Sequence, residues 1–256
     1  MNTDFSEIPE GKKIYFASDF HLGAPDDEQS RTREGKIIRW LDSIKADASA
    51  VFLVGDIFDF WFEYKYSVPK GFVRFLGKLA ELSDSGISII FFTGNHDMWM
   101  SDYFPRELNV QIVREPTEYQ MEEKRFYIGH GDGLGPGDRT YKVLKRIFAN
   151  RACQWLFHWL HPNLGMGIAK YWSKQSRAHN LDSEEVFNPG NEWILTYCEK
   201  FENQTHFDYY IFGHRHLPID FNLKDNSRYI NLGEWISQCH YGVFDGKEFS
   251  FLKFDN

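Results

Sequence analysis

Cysteine is scarce in this 256-residue chain: Cys153, Cys198 and Cys239 are odd in number and widely separated. That speaks against a disulfide framework and for a reducing compartment. No run approaches the roughly 18 uninterrupted apolar residues of a membrane-spanning helix. The first residues, MNTDFSEIPEGKK, lack the charged-then-apolar layout of a secretory signal. These absences together predict a cytosolic protein. Internal repeats and low-complexity linkers are missing as well. What is present is an ordinary globular composition, 42% apolar and 26% charged, with enough chain for one well-buried domain. The aromatic content of 18% is high and predicts extra apolar surface to be buried or used.

A general excess of cations is also lacking. The net charge of −8 disfavours nucleic-acid affinity, because backbone phosphates are bound by clustered Lys and Arg. The average conceals a local reversal. From Arg139 to Asn180 there are eight basic residues (Arg139, Lys142, Lys145, Arg146, Arg151, Lys170, Lys174, Arg177) and no Asp or Glu. That stretch carries +8, which leaves −16 on the rest of the chain. Segregation on this scale reports a local partner.

The segment 13–18 (KIYFAS) is short, apolar and partly β-branched or aromatic, which predicts a buried strand. Ile37, Ile38, Leu41 and Ile44 recur at helical spacing and predict a helix over about 33–46. A second buried strand is expected at 50–54 (AVFLV), ending in Gly55. Pro69 is placed to open a helix running through Phe72, Phe75, Leu76 and Leu79 to Gly86. Strands are expected next at 87–93 and 125–129. Alternating short strands and amphipathic helices indicate an α/β protein. Residues 138–203 break the rhythm and read as three or four aromatic-rich helices interrupted by Pro162, Gly165, Gly167 and Pro189. A strand returns at 208–212, and 228–254 reads as short strands closing a sheet. The expectation is one domain, 1–256, with a helical insertion at about 138–203.

Five motifs carry the chemistry: Asp19-x-His21, Gly55-Asp56-x-x-Asp59, Gly94-Asn95-His96-Asp97, Gly129-His130 and Gly213-His214-x-His216. Singly, each is better explained as a turn, a solvated pair or, for Asn95, a helix cap. Their joint arrangement is different. Asp19, Asp56, Asn95, His130 and His214 each fall at or just past the C-terminal end of an expected strand, where ligand crevices form in open α/β sheets. Glycines 55, 94, 129 and 213 directly precede four of them. Glycine permits the sharp exits and close approaches this requires. Oxygen and imidazole ligands without thiolates suit Mn, Fe or Zn. Two such cations can clamp the attacking and leaving oxygens of an in-line displacement at phosphorus. His96 is placed to donate a hydrogen bond or proton to the phosphate or leaving group.

In this order the motifs resemble those of the calcineurin-like metallophosphoesterase family. The resemblance implies a four-layer αββα sandwich. It implies one metal held by Asp19, His21, Asp56 and His216, and another by Asp56, Asn95, His130 and His214, with Asp56 shared. Asp56, Asn95 and His96 would be the catalytic residues, while Asp59 and Asp97 would stand behind the ligands and orient them. A closer similarity is to the UDP-2,3-diacylglucosamine hydrolase branch. It rests on GDIFDFW (55–61), HGDGLGPGDRTY (130–141), LGEW (232–235) and the basic, aromatic insertion.

Members of that branch cleave the pyrophosphate of an acylated UDP-sugar in lipid A synthesis, usually with Mn²⁺, giving UMP and a diacylglucosamine 1-phosphate. Their insertion forms a helical cap that holds acyl chains and lies against the inner membrane. Here Trp155, Leu156, Phe157, Trp159, Leu160, Tyr171 and Trp172, interleaved with cations, match an interfacial signature. His158 and His161 read as interfacial or packing residues, not ligands. By resemblance, His96, Asp138, Tyr141, Ser176, Arg177 and Asn180 are the expected substrate contacts. The branch usually has Arg in the third place of the asparagine motif; this chain has His96, like the wider superfamily. A phosphodiesterase or phosphatase for another nucleotide or phospholipid therefore stands as the alternative. Oligomeric state is not legible.

Overall fold

The computed structural model describes residues 5–136, 139–181 and 187–255. A six-stranded sheet is built from β1 (Lys13–Ala17), β2 (Ala48–Val54), β3 (Ser88–Phe92), β4 (Gln111–Val113), β10 (His240–Phe244) and β11 (Phe249–Lys253). Its order is β11-β10-β1-β2-β3-β4. A second, five-stranded sheet combines β5 (Thr117–Met121), β6 (Lys124–Ile128), β7 (Tyr209–Phe212), β8 (Pro218–Asn222) and β9 (Arg228–Leu232) in the order β5-β6-β7-β9-β8. Strands β1 to β4 run parallel, as do β6, β7 and β9. The helices are α1 (Asp27–Ile44), α2 (Val73–Asp84), α3 (Tyr103–Leu108), α4 (Arg139–Phe148), α5 (Arg151–His158), α6 (Pro162–Leu181) and α7 (Trp193–Glu202).

Side-chain alternation along the strands creates the layers. Tyr15, Ala17, Val51, Leu53, Ile89 and Phe91 point to one face and pack with Ile37, Leu41, Phe75 and Leu79 of α1 and α2. Their neighbours Ile14, Phe16, Phe52, Val54, Ile90 and Phe92 point the other way, onto Phe126, Ile128, Ile211, Ile230 and Leu232 of the second sheet. That sheet's outer face, with Tyr127, Tyr210, Phe212 and Tyr229, is covered by Ile194, Leu195 and Cys198 of α7. The layer order is helix, sheet, sheet, helix. The strands buried on both faces are therefore near-continuous apolar runs, which is why the sequence displays them so clearly. Much of the aromatic excess lies here: Phe16 stacks on Phe52 at 5.1 Å and Phe126 meets Phe244 at 4.9 Å. Each fully buried Phe contributes about 1.5–3 kcal/mol.

Several boundaries differ from expectation for local reasons. Helix α1 begins six residues earlier than its apolar stripe suggests, because Asp26 caps it by accepting from Gln29 N at 2.8 Å. Pro69 does not open α2; the chain first turns through Gly71 (φ 111°) and Phe72 (φ 58°). Pro162 begins α6 instead of breaking it, since its missing N–H is unneeded at a first helical position. Gly165 and Gly167 lie inside that helix. The tail does not close one sheet: β9 joins the five-stranded sheet, whereas β10 and β11 extend the other. Helix α3 and strands β4, β5 and β8 are short or half-exposed and had no sequence signal strong enough to show them.

Helices α4 to α6 rest on the loops that follow β2 and β3. The Trp99 indole N–H donates to the Phe148 carbonyl at 2.8 Å. Phe157 packs against Phe62 at 4.7 Å and Trp99 at 4.8 Å. Lys145 Nζ reaches Asp132 Oδ2 at 2.7 Å. Each contact joins the basic helices to the end of the sandwich where the five motifs lie.

Candidate metal centre

Because β1, β2 and β3 are parallel, and β6 and β7 are parallel, their carboxyl ends bring the motif loops together. The lacing continues past the strand ends. Asp19 N donates to Gly55 O at 3.0 Å, His21 N to Asp56 O at 2.9 Å, and Gly213 N to His130 O at 3.0 Å. These bonds hold the backbone in an unusual state. Asp19 (φ 53°), His21 (44°), Asp56 (53°), His214 (70°) and His216 (53°) all occupy the left-handed region. Such conformations cost non-glycine residues roughly 1–3 kcal/mol each and persist where the surroundings over-determine them.

The preceding glycines serve a purpose the sequence only half suggests. A Cβ on Gly94 would lie 2.2 Å from Asp56 Oδ1, and one on Gly213 would lie 2.4 Å from Asp19 Oδ2. These glycines admit the ligands of a neighbouring loop; the backbone strain sits on the ligands themselves.

Two groups of potential ligand atoms form. Asp19, His21, Asp56 and His216 present atoms within 4.8 Å of one another, and so do Asp56, His130 and His214. Asp56 belongs to both. His21 Nε2 and His216 Nε2 approach to 2.9 Å, and His130 Nε2 lies 3.2 Å from Asp56 Oδ2. Asp19 Oδ1, His21 Nδ1, Asn95 Oδ1 and His130 Nε2 are buried yet make no hydrogen bond among the described residues. Orphaned buried polar atoms are rare in proteins. Asp19 Oδ1 and His130 Nε2 each face a partner of the ligand groups, at 3.3 Å from His216 Nε2 and 3.2 Å from Asp56 Oδ2, and a donor set of oxygen and imidazole nitrogen suits a hard or borderline divalent cation pair.

The supporting contacts orient these groups. His130 Nδ1 donates to Val54 O at 2.9 Å, which directs Nε2 to the centre. His96 Nδ1 is similarly placed 3.0 Å from Asp59 O, while Ser173 Oγ of α6 stands 3.3 Å from the same nitrogen. The His96 and His214 backbone N–H groups donate to Asp56 Oδ1 (2.9 Å) and Asp19 Oδ2 (3.0 Å). Asp97 is fully buried and accepts from Gly94 N at 2.7 Å, Ile57 N at 2.8 Å and Phe58 N at 3.3 Å, tying two motif loops together. Asp59 comes closer to the centre than an orienting role alone demands, since it groups with His21 and His96 within 4.8 Å.

Electrostatics point the same way. Burial opposes ionisation of Asp19, yet the imidazoles of His21 and His216, 3.6 and 3.3 Å from Oδ1, hold its carboxyl well below the usual carboxylate range. For Asp56 burial is likewise overcome, by the charges of His130 and His96. Burial lowers His21 and His214 to about 4, so both imidazoles are neutral and can offer lone pairs. Burial works to lower His130 too, but the Asp56 charge prevails and raises it to about 10. The centre is negative enough to retain a proton there, a place that a bound cation would take over. Burial, reinforced by the Asp56 charge, pushes Asp97 up to about 7.

Six of the seven expected ligands thus fall in these groups, with His96 and Asp59 in a third, while Asn95 and Asp97 lie in the loop after β3 whose Gly94 and His96 touch Asp56. Asp138 lies outside the described residues, as do the side chains of Tyr141, Ser176, Arg177 and Asn180. His158 packs on Phe62 at 4.7 Å, and neither it nor His161 joins a candidate ligand group among the described residues. Sequence reasoning missed Arg33, whose buried Nη2 donates to His21 O at 2.7 Å. Its signal was a cation in register with the apolar stripe Ile37–Leu41–Ile44. Asn231, which donates to Gly213 O, was also missed.

The sandwich and the paired carboxylate–imidazole groups define a metal-dependent phosphoesterase, and the chain belongs to the calcineurin-like phosphoesterase family, whose pattern matches residues 12–218. That span contains all five motifs. Among individual proteins, the chain is 39% identical over 247 residues to a UDP-2,3-diacylglucosamine hydrolase of Porphyromonas gingivalis, covering 91% of this chain and 94% of that protein. It is 28% identical to a protein of the same name from Shewanella sp. strain W3-18-1 (88% and 90% covered). A third, from Proteus mirabilis, is 27% identical (86% and 90% covered).

Proposed function

We propose that this chain hydrolyses the pyrophosphate of UDP-2,3-diacylglucosamine, releasing UMP and diacylglucosamine 1-phosphate. The observation that carries the reading is the pair of ligand groups sharing Asp56, in a chain 39% identical to a hydrolase of that name. Asp19, His21, Asp56 and His216 would hold one divalent cation, and Asp56, Asn95, His130 and His214 the other. Mn²⁺ is the proposed metal; Fe and Zn suit the same donors. Bound there, the cations supply Lewis-acid polarisation of a phosphoryl oxygen and a lowered pKa for water. The protein's own groups do the rest. His96, its Nδ1 fixed on the Asp59 carbonyl, presents Nε2 to the substrate phosphate and, when protonated, donates to it or to the leaving oxygen. Asp56 and Asn95 complete the catalytic set, while Asp97 and the backbone N–H groups fix the carboxylates in place, so little reorganisation is needed during reaction.

The insertion, about 138–203, would supply substrate selection. A cavity of about 470 Å³ opens between α5 and the loops after β2 and β3, lined by Phe62, Met98, Trp99, Met100, Arg151 and His158 among others. Asp138, Tyr141, Ser176, Arg177 and Asn180 are proposed contacts for the polar part of the substrate.

The insertion carries eight of the twelve exposed large apolar side chains among the described residues, including Trp155 (60% exposed) and Trp159 (74%). No described helix is long and apolar enough to cross a membrane. Apolar exposure beside cations supports peripheral contact with the cytoplasmic face of the inner membrane. Lys142 and Lys145 stand apart from that face: their ammonium groups bond Gly135 O at 2.6 Å and Asp132, rooting the insertion.

The test is direct. Protein supplied with Mn²⁺ and a diacylated UDP-glucosamine should release UMP. Failure to do so, with rapid turnover of a generic aryl phosphodiester, moves the function to another nucleotide or phospholipid ester. His96, in the place where that branch usually has Arg, favours keeping that second reading in the assay.

A further inference from the structure

The first turn of α7 touches both loops that carry imidazoles of the second ligand group. Glu192, buried at 2% exposure, accepts from Arg215 Nε through both carboxylate oxygens, at 3.1 and 3.0 Å. The Arg215 guanidinium lies over the Trp193 ring, 4.3 Å from its centroid. Arg215 is the residue between His214 and His216, each held at positive φ. On its other side, the same turn presses on the loop after His130. A Cβ on Gly135 would fall 2.4 Å from Trp193 O, and one on Gly131 would fall 2.8 Å from Ile194 Cδ1. The two loops are themselves joined by the Gly213 N–H bond to His130 O.

A desolvated Arg–Glu pair is weak evidence for stability, because desolvation consumes much of the attraction. Its geometric effect is plainer. A guanidinium held by a buried carboxylate on one side and an aromatic face on the other leaves the intervening residue little freedom. Here that residue separates two strained ligands. The left-handed backbone of His214 needs an external constraint to persist, and this turn supplies one.

We propose that Glu192, Trp193 and Arg215 form a positioning unit that sets the affinity of the Asp56–Asn95–His130–His214 group for its cation. This rests on the two-cation reading, so the experiment separates the two ideas. Metal-free protein would be titrated with Mn²⁺ by calorimetry, and the product examined by electron paramagnetic resonance. The wild-type chain should bind two equivalents and show the multiline signal of a coupled pair. Arg215→Lys keeps the charge but loses the Nε contact and the stacked plane. It should bind one equivalent unchanged and the other at least ten-fold more weakly, with a six-line mononuclear signal at two equivalents.

Trp193→Ala, which removes only the stack, should act in the same direction, and Trp193→Phe should restore the second site. Near-ultraviolet circular dichroism of the metal-free variants checks that they fold; should Arg215→Lys fail that check, the two Trp193 variants decide. Equal affinities in variant and wild type, or equal weakening at both sites, would overturn the positioning role alone. A wild-type chain that binds a single Mn²⁺ would overturn the two-cation reading and this inference with it.

Discussion

Replacing Gly94 by Ala tests whether the centre depends on backbone contact between its loops. Gly94 is not among the glycines at positive φ, so alanine suits its backbone and the whole effect is steric. The new Cβ would lie 2.2 Å from Asp56 Oδ1, 2.7 Å from Asp56 N and 2.8 Å from Asp56 Cγ. Carbon and its neighbours prefer about 3.5–4.0 Å, so the ends of β2 and β3 must separate by about 1 Å or the Asp56 carboxylate must swing away. Overpacking of this kind costs about 1–3 kcal/mol, which lowers the melting temperature by about 2–12 °C in a chain this size. The effect on turnover is larger, because a displacement of about 1 Å at a reacting centre costs about 100-fold. Asp56 is the carboxylate shared by both ligand groups, so Mn²⁺ affinity should fall as well. Gly77→Ala is the control: it lies on the exposed side of α2, its Cβ would meet nothing within 4 Å, and the change should stabilise by roughly 0.5–1 kcal/mol. Melting curves, Mn²⁺ calorimetry and UMP release measured on both variants check the pair. Gly94→Ala with turnover within two-fold of wild type would refute the tight apposition of these loops.

Four further outcomes follow from the same contacts. Asp56→Ala should abolish turnover and leave at most one strongly bound cation; near-normal activity would rule out a shared carboxylate. In metal-free protein His130 is raised from 6.5 to about 10, so its stabilising effect is complete below about pH 6.5 and is lost as pH rises through about 10. Mn²⁺ binding at neutral pH should therefore release a proton and tighten as pH rises, which calorimetry in two buffers of different ionisation enthalpy will detect. Glu63 accepts from Trp61 Nε1 and from the N–H groups of Ser101, Asp102 and Tyr103. Glu63→Ala leaves these donors bare and should destabilise by about 2–4 kcal/mol in a denaturant melt. Replacing Trp155 and Trp159 by Ser should weaken sedimentation with phosphatidylglycerol vesicles while leaving Mn²⁺ stoichiometry at two; undiminished sedimentation would make their exposure incidental.

The candidate ligands are legible because their residue types are chemically constrained and because strands buried on both faces announce where they end. Asp19, Asp56 and His130 each follow an apolar run that could hardly be anything but a central strand. The division of the tail between two sheets was not legible, since β9 and β10 look alike and only their partners differ. The start of α1 is not legible because its first two turns are polar, the buried Ser30, Arg33 and Glu34 included, and only the Asp26 cap marks it. Glu192 and Arg215 gave no signal: an Arg between two histidines and a Glu before a helix are ordinary until the fold sets them 3.0 Å apart. The role of the glycines was half visible. A glycine before a ligand type signals close approach, but nothing local shows that His21 and His214, bulky residues, take the left-handed backbone themselves.

That last feature sets evolution of the centre against evolution of the fold. At Asp19, His21, Asp56, His214 and His216 glycine would fit the backbone better than the residues present. Each position is therefore one where drift toward a more robust scaffold would erase a candidate ligand, and where thermal stability alone, used as a selection, would favour loss of the centre. A library screened only for heat resistance should lose its chemistry first at these five sites, long before the sandwich that supports them shows any change.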